Sequence, residues 1–163
     1  MTAPTPDFEA LLRVLARHRV HFIVVGGVCG TLQGAPIATF DLEVVHSRTP
    51  ENVGRLLVAL EALGACYRGQ GTRRIVPQAS HLSSPGHQLL ITKYGPLDLL
   101  GEIGTGLGYG DLLSRTSEIE VEPGLRVRLL NLETLIGIKE ALGHEKDKAT
   151  LAVLRRTLEA IKG

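Results

Sequence analysis

Two short apolar runs constrain this chain more than any other feature. They are HFIVV at 21–25 and DLEVV at 41–45, separated by Gly26-Gly27 and a short helical pattern from Val28 to Gln33 that stops at Gly34. Runs this short and this rich in β-branched residues read as buried strands, not helices. In the second run alternation places Asp41 and Glu43 on one face and Leu42 and Val44 on the other. A strand that ends in Gly-Gly and a strand that opens with two same-face acids therefore lie close together in the chain.

The remaining pattern places helices and strands around this pair. Thr5-Pro6-Asp7 marks the start of a helix, with proline in its first turn and Phe8, Leu11, Leu12 and Leu15 at helical spacing. Thr49-Pro50 opens a second helix, whose stripe of Val53, Leu56, Leu57, Leu60 and Leu63 stops at Gly64. The polar stretch 65–86 predicts strand fragments and a mobile loop near Ser83–Gly86. Gln88–Thr92 and Leu97–Leu100 predict strands around the turn Tyr94-Gly95-Pro96, glycine-rich 101–110 predicts a loop, and Leu125–Leu129 predicts a further strand. Asn131 is expected to cap a helix that ends at Leu142 before Gly143, and a last helix is expected from about Asp147 toward Ile161. The fold class is α+β: a mixed sheet flanked by helices, with a C-terminal helical pair. With 163 residues and no linker, the expectation is one domain over 1–163, its core at about 20–130 and its C-terminal helices at about 131–163.

Composition excludes several classes. Hydrophobic residues make up 44% and charged residues 21%, which is globular rather than disordered. No apolar run reaches the roughly 20 residues of a membrane helix, so no membrane partner is expected. A net charge of +1 does not advertise strong sequence-blind nucleic-acid binding. Two cysteines, Cys29 and Cys66, cannot form a disulfide framework, and the start of the chain reads as a helix, not a leader, so a cytoplasmic location is expected. Cys29 reads as a small buried residue, and Arg13, Arg17 and Arg19 as a solvated face on the first helix. Gly104-x-Gly106-x-Gly108 lacks the strand-to-long-helix context of a dinucleotide fingerprint.

The acids carry the chemistry. Asp98 sits among Leu97, Leu99 and Leu100, and a carboxylate in an apolar strand is costly unless a partner offsets the burial. A divalent cation is one such partner, since Mg²⁺ takes a few carboxylates together with phosphate oxygens and water. A Gly-Gly turn leading into a helix lets backbone N–H groups approach phosphates. Lys139 falls between Leu132, Leu135 and Ile136 on the apolar stripe of its helix, where it either snorkels or reaches a buried anion.

The run FIVVGGVCGTLQGAPIATFDLEVV resembles the signature of the DNA polymerase β-like nucleotidyltransferase superfamily, and within it the small bacterial nucleotidyltransferase-like proteins related to AbiEii-type toxins. The matching elements are Gly26, Gly27, Gly34, Thr39, Asp41 and Glu43. Asp98 in YGPLDLL matches the third carboxylate, and NLETLIGIKEALGHEKD matches a late segment that places Lys139 and Asp147. The resemblance implies the nucleotidyltransferase fold and a transferase that moves a nucleoside monophosphate from a nucleoside triphosphate to a hydroxyl of RNA, protein or a small molecule. It implies Mg²⁺ or Mn²⁺ held by Asp41, Glu43 and Asp98, phosphates held at Gly26, Gly27, Thr39 and Lys139, and a toxin-like role with an antitoxin-like protein partner. Ile37 stands where the family often carries arginine; Arg73 or Arg74 would then supply the missing cation. Ile37, with Glu43 in place of aspartate, also motivates the alternative of a nucleotide-binding or protein-interaction module that has lost catalysis.

Overall fold

The computed structural model of the chain describes residues 5–163. Asp7 caps α1 (Phe8–Arg17), its carboxylate accepting from the Ala10 amide at 3.0 Å. Pro6 lies before the helix, not in its first turn, and occupies the space beside Gly95 that a side chain there would need. The chain then runs through β1 (Phe22–Val25), α2 (Gly26–Leu32), β2 (Leu42–His46) and α3 (Pro50–Ala62). After α3 come β3 (Cys66–Tyr67), α4 (Ala79–Ser83), β4 (His87–Thr92), β5 (Gly95–Leu100), β6 (Glu102–Ile103), β7 (Leu107–Gly108) and α5 (Tyr109–Leu112). It closes with β8 (Thr116–Glu122), β9 (Leu125–Leu130), α6 (Leu132–Leu142) and α7 (Lys148–Lys162).

Seven strands form one mixed sheet in the order β3-β4-β5-β2-β1-β9-β8. β1 runs parallel to β9 and β2 parallel to β5, while the other neighbours are antiparallel. The two runs that opened the sequence argument are central strands, which explains why β1 is apolar throughout and why β2 is buried except at Glu43. Leu11 and Leu15 of α1, Leu56 of α3, Ile23, Leu42, Leu97 and Leu99 are fully buried in one continuous core. The C-terminal pair α6 and α7 packs together, and α7 reaches α2: Leu154 fills the space beside Gly30 that a Cβ would otherwise occupy. Ile37 packs at the same glycine. Ile37 is half-buried and packs against the core, so its apolar character serves packing at this glycine.

Several expectations change. α4 stands in the stretch where strand fragments were expected; a loop follows it at 84–86, as expected, but Pro85 and Gly86 are tied down, their carbonyls accepting from the Glu102 and Gly101 amides at 3.1 and 3.0 Å. The glycine-rich segment forms the small β6–β7 hairpin and the start of α5. β8 was missed, although Ile119 and Val121 alternate with acids before Pro123-Gly124. Asn131 sits at the N-cap of α6 but makes no capping bond; its Oδ1 accepts from the Ser117 hydroxyl at 2.9 Å, joining β8 to α6. Arg19 lies beyond α1 with a φ of 57°, and Arg13 is not simply solvated but forks onto Glu122 at 2.7 and 3.0 Å. Cys29 is buried as expected; its thiol donates to the Leu130 carbonyl at 3.1 Å, and burial pushes it up to about 12. No helix among the described residues is long and apolar enough to cross a membrane.

Asn52 holds the far end of the central strand pair. Fully buried, it accepts from the His21 amide at 2.7 Å and donates to the His21 and Ser47 carbonyls at 3.1 and 2.7 Å. Replacing it strands backbone groups without water. Asn52→Ala is expected to cost about 2–3 kcal/mol of stability, read as a lower urea midpoint at unchanged slope.

Candidate active site

The turn from β1 into α2 sets the floor of the site. Gly26 has a φ of +68°, a conformation that L side chains rarely adopt. A Cβ at Gly26 would also lie 2.5 Å from Oε1 of Glu43. A Cβ at Gly27 would lie 2.8 Å from the Thr39 hydroxyl oxygen. The two glycines are thus the space into which Glu43 and Thr39 fit. The Thr39 hydroxyl in turn donates to the Asp41 carbonyl at 3.2 Å, fixing the approach to β2.

Sheet register gathers the acids. Glu43 on β2 lies opposite Val25 of β1 on one side and Asp98 of β5 on the other. Laterally paired residues share a face of the sheet, and Asp41, two residues before Glu43, lies at the same edge. Burial raises the Glu43 carboxyl above its ordinary range, and the charges of Asp41 and Asp98 raise it further, against Lys139 and His87, which lower it. Asp98 is 7% exposed. Its carboxyl is also raised, first by burial and then by a hydrogen bond and charge repulsion from Asp41, with Arg68 pulling the other way.

Arg68 was not anticipated. It follows β3, and its Nη1 donates to Oδ1 of Asp98 at 2.7 Å and to the Leu90 carbonyl at 2.8 Å. Only the β3–β4–β5 register brings it there: Tyr67 pairs with Leu90, and Leu90 with Leu97. No local pattern in the sequence marks it. Arg73 and Arg74 instead lie on an exposed stretch, where Arg74 donates to the Gly64 carbonyl at 3.3 Å. Lys139 of α6 stands 3.6 Å from Asp147, with its side chain 21% exposed, and its charge acts on Glu43. Asp147 makes no capping bond to α7; it pairs with Lys139 and lies 3.8 Å from His144. The structure therefore brings together Gly26, Gly27, Thr39, Asp41, Glu43, Asp98 and, from the C-terminal pair, Lys139 with Asp147.

Among the described residues, no three His, Cys, Asp or Glu side chains already surround a common point at which an ion would sit. The chemistry of the donor set nonetheless fits a hard divalent cation. Three crowded carboxylates, two of them raised by burial and by neighbouring acids, would be relieved by a cation that takes oxygen ligands.

No family model and no curated protein sequence matches the chain. Solved structures do. A candidate nucleotidyltransferase from Thermotoga maritima, TM1012, superposes with a TM-score of 0.59 at 17% identity, over 94% of this chain and 91% of that one. The lincosamide antibiotic adenylyltransferase LnuA superposes with a TM-score of 0.61 at 13% identity, over 91% of this chain and 94% of that one. The chain has the nucleotidyltransferase fold. The antibiotic-resistance factor ANT(2'')-Ia shares this nucleotidyltransferase fold at a TM-score of 0.50 and 15% identity, over 95% of this chain and 92% of that one. At these identities the likeness is one of fold, in agreement with the superfamily resemblance carried by Gly26-Gly27 and Asp41-x-Glu43.

Glu43→Gln removes one of three crowded charges without changing shape. A carboxyl raised in the folded state favours folding when protonated; that contribution is present below the ordinary carboxylate range and is lost as pH rises through the raised value. At neutral pH, Glu43→Gln is therefore expected to raise stability, on the order of 1 kcal/mol, with the gain shrinking toward pH 4. Thermal unfolding of both proteins across pH 4–8 checks this; a gain that grows on acidification would contradict it.

Proposed function

We propose that this chain is a nucleotidyltransferase, moving a nucleoside monophosphate from a nucleoside triphosphate to a hydroxyl acceptor. The observation that carries the reading is the row of Asp41, Glu43 and Asp98 set against the Gly26-Gly27 turn, on a sheet of the nucleotidyltransferase fold. Backbone amides at Gly26 and Gly27 would receive the triphosphate, with Thr39 beside them. Asp41 and Glu43, with Asp98, would hold Mg²⁺ or Mn²⁺; when bound, the ion neutralises phosphate charge. Asp98 faces the acceptor as its proton acceptor, a role that its raised carboxyl suits. The hydroxyl oxygen forms a bond to the α-phosphorus, the bond to pyrophosphate breaks, and the hydroxyl proton passes to Asp98. Lys139, balanced by Asp147, places a positive charge beside Glu43 and the phosphates.

The structural neighbours name two kinds of small acceptor: LnuA was solved with lincomycin, and ANT(2'')-Ia with adenylyl-2''-tobramycin. A small hydroxylated molecule is therefore the acceptor class with most support, ahead of RNA or protein. A toxin-like role with an antitoxin partner rests on the sequence resemblance alone. The Arg68–Asp98 ion pair favours a second reading, a module that binds nucleotide without transfer, because a guanidinium already satisfies the carboxylate that would take the proton.

Calorimetric titration of each nucleoside triphosphate, with and without Mg²⁺, tests the reading together with pyrophosphate release. The expected outcome is Mg²⁺-dependent binding, with turnover lost by about 10²-fold or more in Asp41→Asn, the scale for removing one preorganised electrostatic group. Transfer retained in Asp41→Asn would refute it, and binding without pyrophosphate release would select the second reading. Arg68→Gln removes the group that favours ionised Asp98. The acid limb of the kcat/KM profile is then expected to move to higher pH, because Asp98 stays protonated further upward.

A further inference from the structure

A cavity of about 440 Å³ lies at the opposite end of β1 from the acids, lined by His21, Phe22, Tyr109, Glu118, Arg126 and Arg128. The four residues of β1 separate the two places by about 10 Å of strand. The volume is in the range of small-ligand sites. The rings of His21 and Tyr109 lie nearly parallel, at 15°, with centroids 6.4 Å apart, toward the outer limit for a ring pair. His21 is exposed, yet its backbone is fixed on both sides by Asn52, so its ring is presented from a rigid base.

Two guanidiniums share one carboxylate here. Arg128 contacts Glu118 at 2.9 Å and donates to the Thr116 hydroxyl at 3.0 Å, while Arg126 stands 3.6 Å from the same Glu118. Glu120 stands opposite Arg126 across the strand pair with its carboxylate turned to the Gly124 amide, at 3.0 Å, and the Arg126 side chain, 65% exposed, holds only the longer and weaker contact to Glu118. A guanidinium fork suits a phosphate, and flat rings beside it suit a base. Neither group takes part in the chemistry at Asp41, Glu43 and Asp98.

We propose that this cavity binds a nucleotide unit, with its base against the His21–Tyr109 rings and its phosphate on Arg126 and Arg128. The phosphate draws Arg126 from Glu118, while Arg128, anchored by Thr116, holds the register. The unit is either a free mononucleotide or one nucleotide of an RNA chain. The site stands independently of the transfer reaction.

Amide NMR of the full chain in EDTA tests it, with AMP, inorganic phosphate and a short single-stranded oligoribonucleotide as probes. EDTA withholds the divalent cation that triphosphate binding at the acids requires. The expected result is that AMP or the oligonucleotide moves the amides of His21, Tyr109, Arg126 and Arg128, undiminished in Asp41→Asn. Arg126→Glu, at an exposed side chain, is expected to weaken binding tenfold or more, and Tyr109→Leu to weaken AMP more than phosphate. Equal affinity for AMP and the oligonucleotide identifies the free nucleotide as sufficient; markedly tighter oligonucleotide binding identifies RNA. Shifts confined to Gly26-Gly27, no shifts, shifts unaffected by Arg126→Glu, or phosphate binding as tightly as AMP would overturn the proposal. Loss of transfer activity with these shifts intact would remove the proposed reaction and leave this site standing.

Discussion

The contact between Glu43 and Gly26 is the constraint on which the rest of the site depends. A carboxylate can lie over the β1–α2 turn only because that residue has no Cβ and tolerates a left-handed backbone. With Glu43 lodged there, the antiparallel register of β1 and β2 is fixed at Val25 opposite Glu43. The parallel register of β2 and β5 then places Asp98 beside Glu43 with no freedom to slip, since a one-residue shift would send these acids to the other face. The like charges are thus held together by sheet geometry against their own repulsion, and the fold carries that cost in its most buried strands.

That conflict is moderated from two sides. Arg68, delivered by the short edge strand β3, stands against Asp98. Lys139, delivered by α6, acts on Glu43 and is itself balanced by Asp147. Each acid of the lateral pair thus has its own cation, contributed by a different part of the chain. A guanidinium offers a directional fork and an ammonium a point charge, so the two corners differ in kind. Arg68 binds its carboxylate directly at 2.7 Å, whereas Lys139 acts on Glu43 at longer range.

What the sequence revealed, and what it hid, follows from the range of the interactions. Gly26, Gly27, Thr39, Asp41 and Glu43 lie within one strand–turn–strand unit, so their roles leave a local pattern. Asp98 was legible because an acid among leucines is anomalous in any context. Lys139 was legible for the same reason, as a charge on an apolar stripe. Arg68 was not: it lies in a polar stretch where an arginine is unremarkable, and only pairing of β3 with β4 and of β4 with β5 carries it to Asp98. Asp147 stands at the N-cap position of α7, yet its side chain turns to Lys139, a contact that depends on how α7 follows α6. β8 was passed over because its exposed face is acidic and its apolar face rests on only Ile119 and Val121.

The C-terminal helices belong to the same mechanical unit as the signature. Leu154 of α7 and Ile37 meet at Gly30 of α2, the helix that begins with the Gly26-Gly27 turn. Lys139 and Asp147 bracket the junction between α6 and α7. A shift of α7 would therefore press on α2 through Gly30 while moving Asp147 relative to Lys139. The apolar residue at 37 gains its meaning in this light. It exchanges a cation near the turn for a packing contact that ties the turn to α7. The positive charge at the acids then comes from Arg68 and Lys139, on segments far away in sequence, so the electrostatics of the site depend on the completed sheet and on the seated helix pair.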